Sequence, residues 1–199
     1  MASLEAVVLI VGLLLLAGCW SQVSSPGRCP NVPVKPWFQL NRYLGTWFED
    51  RRFFAAFQID NTCVSANYAL NLDGSVRVEN RGYSPNQGRY VSVVGDAFSP
   101  DPYQAAKIKV RFSSFSPYQD YWVLDTDYDS FSVVYSCTDS PQQKIKNEFC
   151  WILTRRPYAL HPIQISRIYH ILLAYDINPG NFLPPTQQKF CPRYDTVHY

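Results

Sequence analysis

Residues 107–112 read KIKVRF, with Ile108, Val110 and Phe112 on one face and Lys107, Lys109 and Arg111 on the other. A clean period of two means a strand buried on one side and wet on the other. Seven further short runs read as β-like, with less clean alternation: residues 46–54, 62–70, 75–80, 90–98, 121–126, 131–137 and 148–154. Turn residues separate them, as at Asn71-Leu72-Asp73-Gly74 and Pro85-Asn86-Gln87-Gly88. The spacing is that of an antiparallel meander. After Pro157 the period changes. Ile165, Ile168, Tyr169, Leu172 and Leu173 fall on one face of a helix over residues 162–176, with Pro162 in its first turn and Asn178-Pro179-Gly180 as its stop. The expected fold class is therefore all-β: an eight-stranded antiparallel up-and-down barrel with one C-terminal α-helix packed outside. Such a barrel closes its sheet edges and leaves room for one small ligand.

The chain opens with the uncharged run VVLIVGLLLLAG at residues 6–17, after Glu5. That core is too short for a comfortable membrane span, which needs about 20 residues. It reads as a secretory signal peptide over residues 1–21, cleaved somewhere in 18–25, which leaves residues 26–199 as a single domain. Leu16-Ala17-Gly18-Cys19 also resembles the lipobox of bacterial lipoproteins. The absence of Lys or Arg from the first five residues, and the cysteine pattern downstream, argue against that use. Of six cysteines, Cys29, Cys63, Cys137, Cys150 and Cys191 lie beyond the leader. In an exported chain they read as disulfides, with one thiol left over or paired between chains. No C-x-x-C occurs, which disfavours zinc. Net charge is +2 and the basic residues are scattered, so nucleic-acid binding has no support. The 14 Tyr, 12 Phe and 5 Trp suit strands and apolar cavities.

Three segments then resemble lipocalin signatures. Asn41-Arg42-Tyr43-Leu44-Gly45-Thr46-Trp47-Phe48-Glu49 is similar to the first motif, whose core is G-x-W. Thr126-Asp127-Tyr128, followed by Val133-Val134-Tyr135-Ser136-Cys137, is similar to the second. Trp151-Ile152-Leu153-Thr154-Arg155 is similar to the third, which centres on an arginine. Arg28-Cys29-Pro30-Asn31, Asn67-Tyr68 and Tyr121-Trp122 further resemble the branch of apolipoprotein D and its invertebrate relatives, over about residues 28–192.

The resemblance implies that Trp47 plugs the closed end of the barrel. Arg155 would lie across its ring, a contact worth about 0.5–2 kcal/mol. It implies the disulfides Cys29–Cys137 and Cys63–Cys191, each worth up to about 4–5 kcal/mol by chain entropy. Cys150 is then unpaired, either a small buried hydrophobe or a link between chains. Asn67-Tyr68-Ala69 lacks the sequon of close relatives, and little N-glycosylation is expected.

The function implied is extracellular binding and transport of a small hydrophobic ligand: a sterol, retinoid, fatty acid, bilin or carotenoid. Alternation proposes Asn67, Val78, Val110, Phe112, Trp122, Leu124 and Tyr135 as the lining, with register open by one residue on most strands. No cofactor is expected. A second reading makes the chain a subunit of a pigment complex or lipoprotein particle, homo- or hetero-oligomeric, acting through loops such as Phe98 to Tyr103 and Phe112 to Tyr118. A third, a lipid-modifying enzyme, has little behind it. His161, His170 and His198 all lie in the helix or tail, away from any nucleophile in the cavity. Asp125, Asp127 and Asp129 lack the Gly and Glu of a calcium loop.

Overall fold

A computed structural model describes residues 22–157, 160–187 and 191–192. The leader over residues 1–21, including Cys19, lies outside the described residues. Nine strands form one antiparallel sheet: β1 (Val23–Pro26), β2 (Gly45–Arg52), β3 (Thr62–Leu70), β4 (Val76–Ser84), β5 (Arg89–Phe98), β6 (Lys107–Arg111), β7 (Gln119–Thr126), β8 (Phe131–Ser140) and β9 (Ile145–Thr154). Strands β2 to β9 pair in sequence, and β9 returns to pair with β2, which closes the eight-stranded barrel. The ninth strand is an addition to the expected set. β2 pairs only with the Trp151–Thr154 end of β9, and β1 takes the Ile145–Glu148 end that β2 leaves free. One turn of helix, α1 (Leu40–Tyr43), precedes β2. The long helix α2 (Pro162–Ala174) follows β9. Its N-terminus carries a capping box: the His161 side chain accepts from a first-turn N–H, and the Gln164 side chain accepts from the His161 N–H.

Two apolar clusters result, one on each side of the barrel wall. The inner one holds Trp47, Tyr68, Val76, Val78, Ala97, Ile108, Val123, Val134 and Leu153, with Tyr43 of α1. The outer one holds Phe53, Leu124, Phe131, Val133, Tyr135, Cys137, Cys150 and Ile152 against Ile168 and Leu172 of α2. Strands β7 to β9 are thus buried on both faces. The N-terminal arm, the segment between β1 and α1, and helix α2 are fastened to this wall by ion pairs from Lys35 and Arg167 to Asp125, at 2.9 and 2.7 Å.

Both disulfides tie chain ends to the barrel: Cys29–Cys137 holds the N-terminal arm to β8, and Cys63–Cys191 holds the tail to β3. Cys150 is unpaired and fully buried in the outer cluster, and burial pushes its thiol well above the usual range. A thiol that is both inaccessible and protonated is a poor nucleophile. We expect Cys150 to resist an aromatic disulfide reagent in the native protein and to react stoichiometrically in denaturant. Fast labelling of the native protein would contradict its burial.

Candidate functional site

The lower end of the barrel is sealed where α1 runs into β2. Gly45 has φ of +90°, a conformation that L side chains rarely adopt, and an added Cβ would sit 3.5 Å from the Arg155 guanidinium. The turn lays the Trp47 indole across the floor. Arg155 covers that ring at 3.8 Å and spends its donors on carbonyls: Tyr128 at 2.8 Å, Thr46 at 3.0 Å and Arg42 at 2.8 Å. Trp47 Nε1 donates to the Tyr43 carbonyl at 2.8 Å. Asp127 shapes the β7–β8 turn by accepting from the N–H groups of Asp129, Ser130 and Phe131 and from the Ser130 hydroxyl. Partial burial pushes its carboxyl up, but these donors outweigh that and hold it below the usual carboxylate range.

Above the indole lies a floor of hydroxyls. Tyr68 and Tyr121 are 2.7 Å apart at their oxygens, Tyr121 and Tyr43 are 3.0 Å apart, and Tyr43 reaches Ser132 at 3.0 Å. Burial pushes Tyr43 up to about 12 and lifts Tyr68 and Tyr121 well above the usual phenol range, so all three stay protonated. Leu40, Val76, Val78, Ala97, Ile108 and Val110 complete the walls. The space they enclose is about 10 Å³, roughly what one water needs.

In the upper half of the interior, inward-facing side chains keep exposed surface. Register places Val93 opposite Asn80, two residues along from Gly95 opposite Val78, so Val93 faces inward. It is nevertheless 46% exposed. Ala66, Phe112 and Trp151, also packed toward the inner cluster, keep part of their surface exposed. Gly95 allows strand β6 to approach here, since a Cβ on it would stand 2.1 Å from the Arg111 carbonyl oxygen. On one side of this half, Glu49, Arg52, Gln58 and Trp151 form a hydrogen-bonded cluster.

Of the residues expected to line the interior, Val78 and Val110 border the floor cavity and Phe112 packs beside it. The others lie elsewhere. Asn67 is exposed on the outside of β3, bonded to Thr46 at 2.9 Å. Trp122 stands opposite Lys107, whose face is the outer one, and joins Leu124 and Tyr135 in the cluster under α2. Because that outer face is covered, the outward residues of β7 and β8 are at least as apolar as the inward ones, and alternation does not mark which face is inward. Inward on β7 are Tyr121 and Val123. In the β6–β7 loop Phe115 is 98% exposed, whereas Tyr118 is tied to the Asp96 carboxylate and stacks edge-on against Phe98.

The family model for a lipocalin-like domain matches residues 38–172. Apolipoprotein D of the mouse (Mus musculus) is 34% identical over 192 residues, 94% of this chain and 99% of that protein. The outer membrane lipoprotein Blc of Vibrio cholerae is 33% identical over 157 residues, 77% of this chain and 82% of that protein. Among solved structures, insecticyanin of the tobacco hornworm Manduca sexta is similar in fold, with a TM-score of 0.73 at 23% identity over 84% of this chain and 90% of that one. Lobster apocrustacyanin A1 is similar at 0.71 and 21% identity, over 84% and 92%.

Proposed function

This chain belongs to the lipocalin family, whose members bind and transport small hydrophobic ligands, and on that premise we propose that it is an extracellular carrier whose ligand lies in the upper half of the barrel, above the tyrosine floor. The exposure of inward-facing Val93, Ala66, Phe112 and Trp151 is the observation that carries this reading. The floor itself is closed by side chains, so an apolar body rests on Tyr68 and Tyr121 and is walled by Val78, Val110 and Phe112. Burial of its apolar surface supplies the binding energy, about 25 cal/mol per Å². A sterol, retinoid, fatty acid, bilin or carotenoid fits that chemistry. The two disulfides support release outside the cell, and in this reading the leader over residues 1–21 serves as the export signal. The role is binding rather than catalysis. The exposed Phe115 loop supports a second reading, in which the same barrel also seats on a lipid particle or a protein partner.

Tryptophan quenching tests the ligand's position. A polyene ligand is expected to quench native fluorescence chiefly through inward-facing Trp151. Trp151→Phe should remove most of the quenching, while Trp122→Phe, altered behind the barrel wall, should remove little. Quenching lost in Trp122→Phe and kept in Trp151→Phe would place the ligand outside the barrel. No saturable quenching by any polyene, together with no ligand mass in organic extracts of the native protein, would sink the carrier reading.

A further inference from the structure

The cluster in the upper half is built from charged groups that a β-barrel interior does not need for packing. A bulge between Glu49 and Arg51 shifts the register of β2, so that Glu49 pairs with Leu153 and Arg52 with Trp151, both on the inward face. Arg52 is 5% exposed. Its Nη1 donates to Glu49 Oε1 at 2.5 Å and its Nη2 to the Gln58 carbonyl at 2.7 Å. Gln58 Nε2 donates to the other Glu49 oxygen at 3.0 Å, and Trp151 Nε1 donates to Gln58 Oε1 at 3.1 Å. The Phe57 ring beside Gln58 packs on inward-facing Phe149 at 5.7 Å, and Phe149 stacks on Trp151 at 5.7 Å. Nearly every polar atom in this ring is used. The exception is Arg52 Nε, which is buried with no hydrogen-bond partner. A buried N–H without an acceptor carries its full desolvation penalty.

We propose that this cluster is the polar subsite of the pocket, and that Arg52 Nε donates to a neutral carbonyl-type oxygen (ketone, ester or amide) on an otherwise apolar ligand. The proposal rests on the carrier reading and specifies its ligand. Charge decides the class. Glu49 already neutralises the guanidinium, so the subsite has no net positive charge to offer an anion. A carboxylate at Nε would stand close to the Glu49 carboxylate in a poorly hydrated interior, where like charges repel strongly. A pure hydrocarbon would leave the N–H unmet. A neutral acceptor satisfies the donor without either cost.

Three probes with one carbon skeleton separate these cases: a fluorescent conjugated polyene fatty acid at pH 8, its methyl ester, and the matching hydrocarbon. For the unmodified protein the ester should bind about five- to tenfold more tightly than the acid or the hydrocarbon, the range of one recovered hydrogen bond. Arg52→Lys keeps a cation opposite Glu49 but has no Nε–H, and should erase the difference between ester and hydrocarbon. Glu49→Gln leaves the guanidinium charge uncompensated, and should turn the preference toward the acid. Melting curves of both variants check their folding, and the comparison on the unmodified protein stands without them. The proposal is overturned if all three probes bind within twofold of one another, which would mean that water serves the N–H. It is overturned equally if the acid binds best, or if Arg52→Lys keeps the ester preference. Failure of all three probes to bind, together with no ligand mass in organic extracts of the native protein, would instead remove the carrier reading.

Discussion

Replacing Trp47 by Ala should lower the unfolding free energy by about 3–5 kcal/mol, the range for truncating a fully buried aromatic. The indole is 0% exposed, packs at a tilt against the Tyr43 ring at 5.1 Å and lies under Arg155 at 3.8 Å. Truncation opens a void beneath the hydroxyl floor and takes the donor from the Tyr43 carbonyl. It also leaves Arg155 over empty space. Arg155 cannot follow the void inward, because its fork is committed to the carbonyls of Arg42, Thr46 and Tyr128. For a chain of this size the melting temperature should fall by about 6–20 °C. Urea unfolding followed by far-ultraviolet circular dichroism, with the disulfides intact, measures the loss. Arg155→Lys should reproduce part of it, since an ammonium cannot span three carbonyls in a plane. A Trp47→Ala variant within 1 kcal/mol of the parent would show that the floor is held by something other than this stack.

The stack was legible because its residues carry a motif. Other features were legible through periodicity. Strand β6 has one wet face, so Ile108 and Val110 point inward as the pattern requires. Helix α2 was bounded by Pro162 at its start, and it ends at Ala174, two residues short of the expected last helical residue, Asp176, which lies in the left-handed region. Strand β1 gave no signal. Its sequence Val-Ser-Ser-Pro is short and half polar, and its partner lies more than 100 residues away on β9. Pattern in one segment cannot report an edge left free by another. The same limit applies to β8, where Phe131, Val133, Tyr135 and Cys137 make the more apolar face, yet that face looks outward to α2 while Ser132 and Ser136 share the inward face with Val134.

The site was less legible than the fold, for reasons that are local. Tyr68 and Tyr121 reach the floor by standing one residue away from Asn67 and Trp122, and a register error of one exchanges them. Glu49 and Arg52 sit in Phe48-Glu49-Asp50-Arg51-Arg52-Phe53, which reads as an ordinary charged surface stretch. Strict alternation would send Glu49 and Arg52 to opposite faces. Only the bulge puts both inside, and no residue type in the segment announces a bulge. Arg51, displaced outward by it, bonds to the Tyr169 hydroxyl of α2 at 3.0 Å and to Asp50 at 2.6 Å. Neighbouring arginines therefore serve opposite sides of the wall.

A second buried ion pair, on the outer face, should give the other large effect. Lys146 and Glu148 of β9 meet at 3.1 Å beside β1, both buried. Glu148 also accepts from the Tyr135 hydroxyl at 2.7 Å and from Ser25 of β1 at 3.0 Å. Burial, reinforced by this bond to Glu148, holds Tyr135 far above the usual phenol range, so it remains a donor. Glu148→Ala removes the acceptor of three donors at once and strands the Lys146 ammonium in the wall. The expected loss is about 3–5 kcal/mol, the range for breaking a buried pair by deleting one partner. Removing both charges should behave differently. Lys146→Met with Glu148→Leu fills the same volume without an isolated charge, and such replacements are often neutral or stabilising by about 1–4 kcal/mol. Part of that gain is offset here, because Tyr135 and Ser25 still lose their acceptor. The double variant should therefore be clearly more stable than Glu148→Ala alone, a coupling that a double-mutant cycle in urea reads directly. Equal stability of the two would mean that the cost lies in the lost hydrogen bonds from Tyr135 and Ser25 and not in the stranded charge. Since β1 is held to β9 partly through Ser25, the single variant should also expose the amides of β1 to hydrogen exchange before those of β2 to β8.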